Sequence, residues 1–261
     1  MKLARYLYRG RIRYGVVDGD QLRELVGTPF QGIRELGETR SLGEVEILPP
    51  VFPQKILAVG LNYRDHAEEF GMPLPEEPVL FMKPPSSLLP HGGKIVYPPM
   101  TRRVDYEAEL ALVVAAECRD VPVKEATRFV LGYTCANDVT ARDLQAKDGQ
   151  WTRAKGFDTF CPLGPFIETE VDPSDLAVRL YLNGELRQSS RTSAMVFGPA
   201  ELLSFVSRIM TLYPGDVILT GTPSGVGEMR PGDLVEVEIE GVGRLSNIVD
   251  QPAGSSLGKG G

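Results

Sequence analysis

The chain has 261 residues, 42% hydrophobic and 24% charged, with 35 acidic against 28 basic side chains and a net charge of −7. That length can bury a sizeable core in one large domain with a small appendage, and the acidic balance argues against nucleic acid, whose phosphates would be repelled. No apolar run reaches the roughly 18 residues that span a bilayer, so no membrane partner is expected.

The opening "MKLARYLYRGRIRYG" is basic but has no apolar core before a small-residue cleavage site, and it reads as mature protein. Residues 1–50 read as short strands joined by turns, with "LARYLY" and "RIRYGVV" alternating and Arg9-Gly10 and Asp18-Gly19 as breaks. The stiff Pro49-Pro50 join marks a boundary between a small N-terminal domain, 1–50, and a larger one, 51–261. "KILAVGLNY" is an apolar strand, and "YRDHAEEFG" a short helix ended by Gly71. The proline-rich stretch after it reads as a loop holding one strand, "VLFMK". "YEAELALVVAAE" is a strand. "PVKEATRFVLGYTCANDVTARDLQ" reads as a helix, a glycine stop, a short strand and a loop carrying Asn137-Asp138. Asn183-Gly184 signals a hairpin. "GPAELLSFVSRIMTL" is an amphipathic helix with Leu202, Leu203, Phe205, Val206 and Ile209 on its apolar stripe. The last third is strand-rich, with two Pro-Gly-Asp turns leading into strands. The whole is an α+β chain in which strands dominate.

Cys118, Cys135 and Cys161 are scattered and share no Cys-x-x-Cys spacing, so thiolate zinc and a disulfide framework are both disfavoured and a reducing cytoplasm is the expected compartment. His66 and His91 are the only histidines. Any metal must therefore be held mainly by oxygen, which favours magnesium, manganese or calcium.

"VDYEAELALVV" carries Asp105, Glu107 and Glu109 at alternate positions. Alternate strand residues point the same way, about 6.6 Å apart. Such a face is either solvated or built around a cation. The continuation "LALVV" is apolar on both faces, as in a strand entering a core, where adjacent carboxylates need compensation. Asp138, in the polar loop after "VLGYTCA", would complete a three-carboxylate oxygen site. His66 and Glu69 share a face if helical, an arrangement that orients an imidazole as a base. Arg142, Gln145 and Lys155 are suited to holding a carboxylate or a developing enolate. "LTGTPSGVG" lacks the Gly-Lys-Ser/Thr of a phosphate loop, which disfavours nucleotide binding.

The segments "KILAVGLNYRDHAEE", "FMKPPSSL", "VDYEAELALVV", "GYTCANDVTARDLQ", "KGFDTFCPLGP" and "LTGTPSGVG" occur in the order of the fumarylacetoacetate hydrolase superfamily, and from about residue 55 to 250 the chain resembles it. Within that superfamily it looks most like the 2-hydroxyhepta-2,4-diene-1,7-dioate isomerases, acylpyruvate hydrolases and oxaloacetate decarboxylases. The resemblance implies a β-roll around the active site, a homodimer, and Mg2+ or Mn2+ held by Glu107, Glu109 and Asp138. It implies His66 and Glu69 as a catalytic pair, Arg142, Gln145 and Lys155 as substrate contacts, and Thr222 in the loop over the substrate carboxylate. Asp105 matches no ligand. The expected substrate is a small 2-oxo or 2-hydroxy-dienoate acid, converted through an enolate held at the metal. The reaction is isomerisation or decarboxylation, in the setting of aromatic catabolism, with acylpyruvate-type C–C hydrolysis or oxaloacetate decarboxylation as the alternative. A non-catalytic, metal-stabilised binding domain is the alternative of another class.

Overall fold

The structure, a computed structural model, describes residues 1–65, 71 and 73–251. The first fifty residues form β1 (Lys2–Tyr8), β2 (Arg11–Asp18), β3 (Gln21–Leu25), β4 (Glu35–Ser41) and the short β5 (Glu46–Ile47). β1 also pairs antiparallel with a strand from later in the chain, Cys161–Glu168. There follow β6 (Ile56–Gly60), β7 (Val79–Lys83), β8 (Leu88–Leu89), β9 (Lys94–Val96), β10 (Val104–Tyr106) and β11 (Ala108–Val114). Next come β12 (Val130–Asn137), β13 (Thr140–Ala141), the short helices α1 (Arg142–Asp148) and α2 (Thr152–Lys155), and β14 (Cys161–Glu168). The remainder is β15 (Ala177–Leu182), β16 (Glu185–Arg191), α3 (Pro199–Ile209), β17 (Val217–Leu219), β18 (Gly227–Met229), β19 (Leu234–Ile239) and β20 (Gly243–Asp250). This is the strand-rich α+β chain expected, and among the described residues no helix is long and apolar enough to cross a membrane.

Among the described residues the main sheet runs β4-β3-β2-β1-β14-β12-β11-β17-β6-β7, with β5 against β1 and β8 against β14. A smaller sheet, β16-β15-β19-β20-β9, packs beside it, and β13-β10-β18 forms a third. The near-continuous apolar run of β11 places it at the centre. Ala108, Leu110, Leu112 and Val114 enter one core with Val178, Leu180 and Val237, while Ala111 and Val113 enter a second with Ile56, Ala58 and Leu163. A strand apolar on both faces is stable only between two layers, and each of its leucines and valines contributes about 1.5–3 kcal/mol by leaving water.

Two local expectations change. Residues 123–129 are a 3-10 helix and the strand starts at Val130, so Gly132 lies inside β12 and ends no helix. Its role is close approach: a Cβ there would lie 2.4 Å from the Glu168 carbonyl oxygen on β14. The apolar stripe of α3 is narrower than its spacing suggests. Leu202, Leu203 and Val206 are fully buried but Ile209 is 50% exposed. Ser204 and Ser207 share the inner face because their hydroxyls are satisfied locally, Ser204 Oγ donating to the Val121 carbonyl (2.7 Å) and Ser207 Oγ accepting from the Val121 N–H (2.9 Å). The Asn183-Gly184 hairpin forms as expected, both residues left-handed (φ 54° and 81°), joining β15 to β16.

Candidate metal and active site

Strand register assembles the acids. β11 pairs antiparallel with β12, Ala108 facing Asn137 and Glu109 facing Ala136. Glu107, just before β11, and Asp138, just after β12, therefore meet across the end of the ladder. The Asp138 N–H donates to the Glu107 carbonyl (2.9 Å), and the Glu107 N–H to Asn137 Oδ1 (2.9 Å). β17 pairs on the other side of β11. It brings Gly221 to Glu109, whose Oε2 accepts the Gly221 N–H at 2.6 Å. Carboxylate oxygens of Glu107, Glu109 and Asp138 lie within 4.8 Å of one another, all three residues buried. That donor set, oxygen only and anionic, fits a hard divalent cation.

The compensation is uneven. Lys155, the last residue of α2, is buried and donates to Glu107 Oε2 (2.8 Å) and Asp138 Oδ2 (2.6 Å). Lys83, at the end of β7, donates to Asp138 Oδ1 (2.5 Å) and to the Val139 carbonyl (3.3 Å). Arg142 spends its three nitrogens on Asp105 Oδ2 (2.9 Å), Gln145 Oε1 (2.7 Å) and Glu107 Oε1 (2.6 Å). Glu109 forms no ion pair with a described cation. Burial pushes Glu107 up, yet Lys155 and Arg142 outweigh it and hold the carboxyl at about 2. Burial also drives Glu109 up, and Asp138 and Glu107 add to that push, so it sits well above the usual carboxylate range. Burial lowers Lys155, but Asp138 and Glu107 more than reverse this and keep it an ammonium. The site thus holds one carboxylate whose charge is opposed by its surroundings, which is where a cation gains most.

These groups open on a cavity of about 320 Å3, lined on its polar side by the three acids, Arg142, Gln145, Lys155 and Thr222. Every described residue singled out from the sequence for the site therefore converges here. His66 and Glu69 lie outside the described residues. Asp105, the unmatched acid of the opening motif, is fully buried between Arg103 Nε (2.8 Å) and Arg142 Nε (2.9 Å). It fixes the arginine that fixes Glu107.

Three positions escaped the sequence reading. Lys83 lies in the matched segment "FMKPPSSL" but ends an ordinary strand, and nothing in that segment marked the lysine as a site residue. Gln188 sits on the mostly exposed β16 and is buried: its Oε1 accepts the Ala108 N–H (2.9 Å) and its Nε2 donates to Thr222 Oγ1 (2.9 Å) and the Pro223 carbonyl (2.8 Å). It ties the strand of the acids to the loop bearing Thr222. Asn62 does the same for the next segment, donating to the carbonyls of Thr220 (2.7 Å) and Phe197 (2.9 Å). A buried amide with all its hydrogen bonds made leaves no pattern in a sequence.

A carboxylate cluster fit for a metal, at the edge of a strand-rich core and facing a small cavity, defines a class of metal-dependent enzyme. Residues 55–250 match the fumarylacetoacetate (FAA) hydrolase C-terminal family and residues 1–50 an Rv2993c-like N-terminal family. The chain belongs to the fumarylacetoacetate hydrolase family. It is 41% identical over 276 residues to a 2,4-didehydro-3-deoxy-L-rhamnonate hydrolase of Sphingomonas sp., covering 96% of each chain. A 2-hydroxyhepta-2,4-diene-1,7-dioate isomerase from Mycobacterium marinum superposes with a TM-score of 0.91 at 40% identity, over 97% of this chain and 99% of that one. A maleylpyruvate hydrolase from Sphingobium sp. SYK-6, in complex with manganese(II) ion and pyruvate, superposes at 0.80 with 30% identity, over 96% and 99%.

Proposed function

We propose that this protein is a divalent-metal-dependent enzyme that forms and reprotonates the enolate of a small 2-oxo acid, with keto–enol isomerisation of a 2-hydroxydienoate-type acid as its reaction. The observation that carries the reading is the buried triad of Glu107, Glu109 and Asp138 with the Lys155 ammonium beside it, all facing one cavity. Mg2+ or Mn2+ held by those three carboxylates would supply Lewis-acid stabilisation of negative charge on the substrate's C2 oxygen.

The chain's own groups divide the remaining work. Lys155, charged and desolvated, donates to the oxygen on which charge develops, and a fixed donor in a dry site needs no reorganisation as it does so. Arg142 is already committed to Asp105 and Glu107 and serves as a positioning residue for Glu107. Gln145 has its oxygen bound to Arg142, which leaves its amide NH2 to donate to a substrate carboxylate. Thr222 Oγ1 accepts from Gln188, so its own proton is directed to another acceptor, the same carboxylate. Isomerisation, decarboxylation and C–C hydrolysis share the enolate. The hydrolytic variant also requires activated water, the work expected of His66 and Glu69.

The test is exchange of the C3 protons of pyruvate with solvent deuterium, followed by proton NMR with and without Mg2+. Exchange that needs both protein and cation is expected, and exchange indifferent to cation contradicts the reading. His66→Ala should impair hydrolysis of an acylpyruvate more than it impairs this exchange; equal losses would assign the histidine a structural role.

A further inference from the structure

Besides its polar groups the cavity is lined by Val59, Gly60, Leu61, Phe81, Ala146 and Trp151. The aromatic part of that wall starts directly at the proposed reaction centre. Lys155 Nζ lies 5.1 Å from the centre of the Phe81 ring. Phe81 meets Trp151 edge to face, centroids 5.2 Å apart at 73°. Trp151 in turn lies on the backbone of Gly60, close enough that a Cβ there would be 2.8 Å from Cζ3 and 2.9 Å from Cη2. The indole can occupy this place only because residue 60 has no side chain. The sequence thus sets a large apolar surface one ring away from the ammonium.

Charge around the cavity is equally specific. Among the described residues its lining cations are Arg142 and Lys155 alone, and carboxylates hold both. Among the described residues no lysine or arginine stands free to receive a second carboxylate placed against Trp151, and burying an unpaired charge is far costlier than burying a methylene is favourable.

We propose that the Phe81–Trp151 wall, seated on Gly60, is an apolar subsite for the substrate's tail, so that the preferred substrates are 2-oxo acids with one carboxylate at the reacting end and a short uncharged, apolar tail, and not dioates. The assignment rests on the enolate reading given above and deepens it. Trp151 is the specificity-determining residue, and the cavity volume of about 320 Å3, small for a ligand site, limits the tail to a few carbons.

The experiment compares two substrates of equal carbon number, 2,4-dioxoheptanoate and 2,4-dioxoheptane-1,7-dioate, by steady-state tautomerisation with Mg2+ present, alongside pyruvate deuterium exchange. The wild-type protein should favour the monoacid at least 10-fold in kcat/KM, mainly through KM. Trp151→Arg should cut or reverse that preference by 10-fold or more, and Trp151→Phe should retain it, with thermal melting used to confirm that each variant is folded. If Trp151→Arg does not fold, the wild-type preference and its behaviour in Trp151→Phe still decide. Equal or better use of the dioate with pyruvate exchange intact would overturn the subsite while leaving the enolate reading standing, as would a preference undisturbed in folded Trp151→Arg. Absence of both exchange and turnover would remove the enolate reading and the subsite with it.

Discussion

Two groups of buried charge in this molecule look alike in composition and differ in geometry. In the N-terminal strands, Glu24 is buried and receives Arg13 and Arg40, with Tyr6 Oη 3.5 Å from its second oxygen. At the end of β11, Glu107 and Asp138 receive Lys155, Lys83 and Arg142, while Glu109 beside them receives none of the three. In the first group two guanidinium groups converge on one carboxylate, so the cations outnumber the acid they meet. In the second, three carboxylates converge on one another, and among the described residues Glu109 accepts the Gly221 N–H and pairs with no cation. Buried charge is therefore a poor marker of function by itself; an excess of acceptors aimed at one point, beside a cavity, is the better one.

That contrast can be broken by substitution. Glu107→Gln should reduce Mg2+-dependent pyruvate exchange by roughly 10^3-fold, the scale of losing one group that stabilises developing charge, and weaken Mn2+ binding measured by titration calorimetry. Gln188→Leu should come next, lowering exchange by about 10- to 100-fold as supporting residues around metal sites do, because the strand of the acids loses its tie to Thr222. Glu24→Gln should leave exchange within about twofold and lower stability by about 2 kcal/mol, the cost of weakening a buried hydrogen-bonded network, seen as a fall of several degrees in Tm. Ile209→Lys should change stability by less than about 0.5 kcal/mol in a denaturant titration, because the side chain is half exposed at the end of α3. A Glu24 variant that lost exchange, or a Glu107 variant that kept it, would erase the distinction between the two groups.

The sequence made the second group legible and not the first. Glu-x-Glu ahead of "LALVV" advertises acids entering a core, because strand period and apolar continuation are both visible in one dimension. Asp138 is visible for a similar reason, as an acid directly after an apolar run. Glu24 stands in "QLREL", where nothing distinguishes it from a solvated strand acid, and its burial comes from β1, β2 and β4 closing around it. Lys83, Gln188 and Trp151 were hidden likewise: each acts on a segment more than fifty residues away or through a ring contact, and pairing between distant strands has no local signature. Asp105 shows the boundary well. Its surplus to the ligand set could be read, but its partnership with Arg142 required the antiparallel pairing of β10 with β13. The helix stripe failed at Ile209 for a different reason, since periodicity fixes a face and not how much of it a neighbour covers.

The central claim is that Glu107, Glu109 and Asp138 together hold one divalent cation. Crystals grown with Mn2+ and measured at the manganese absorption edge test it most directly. A single anomalous peak within about 2.5 Å of an oxygen from each of the three carboxylates is the predicted result. A peak elsewhere in the molecule, or none between these acids at saturating Mn2+, would contradict it.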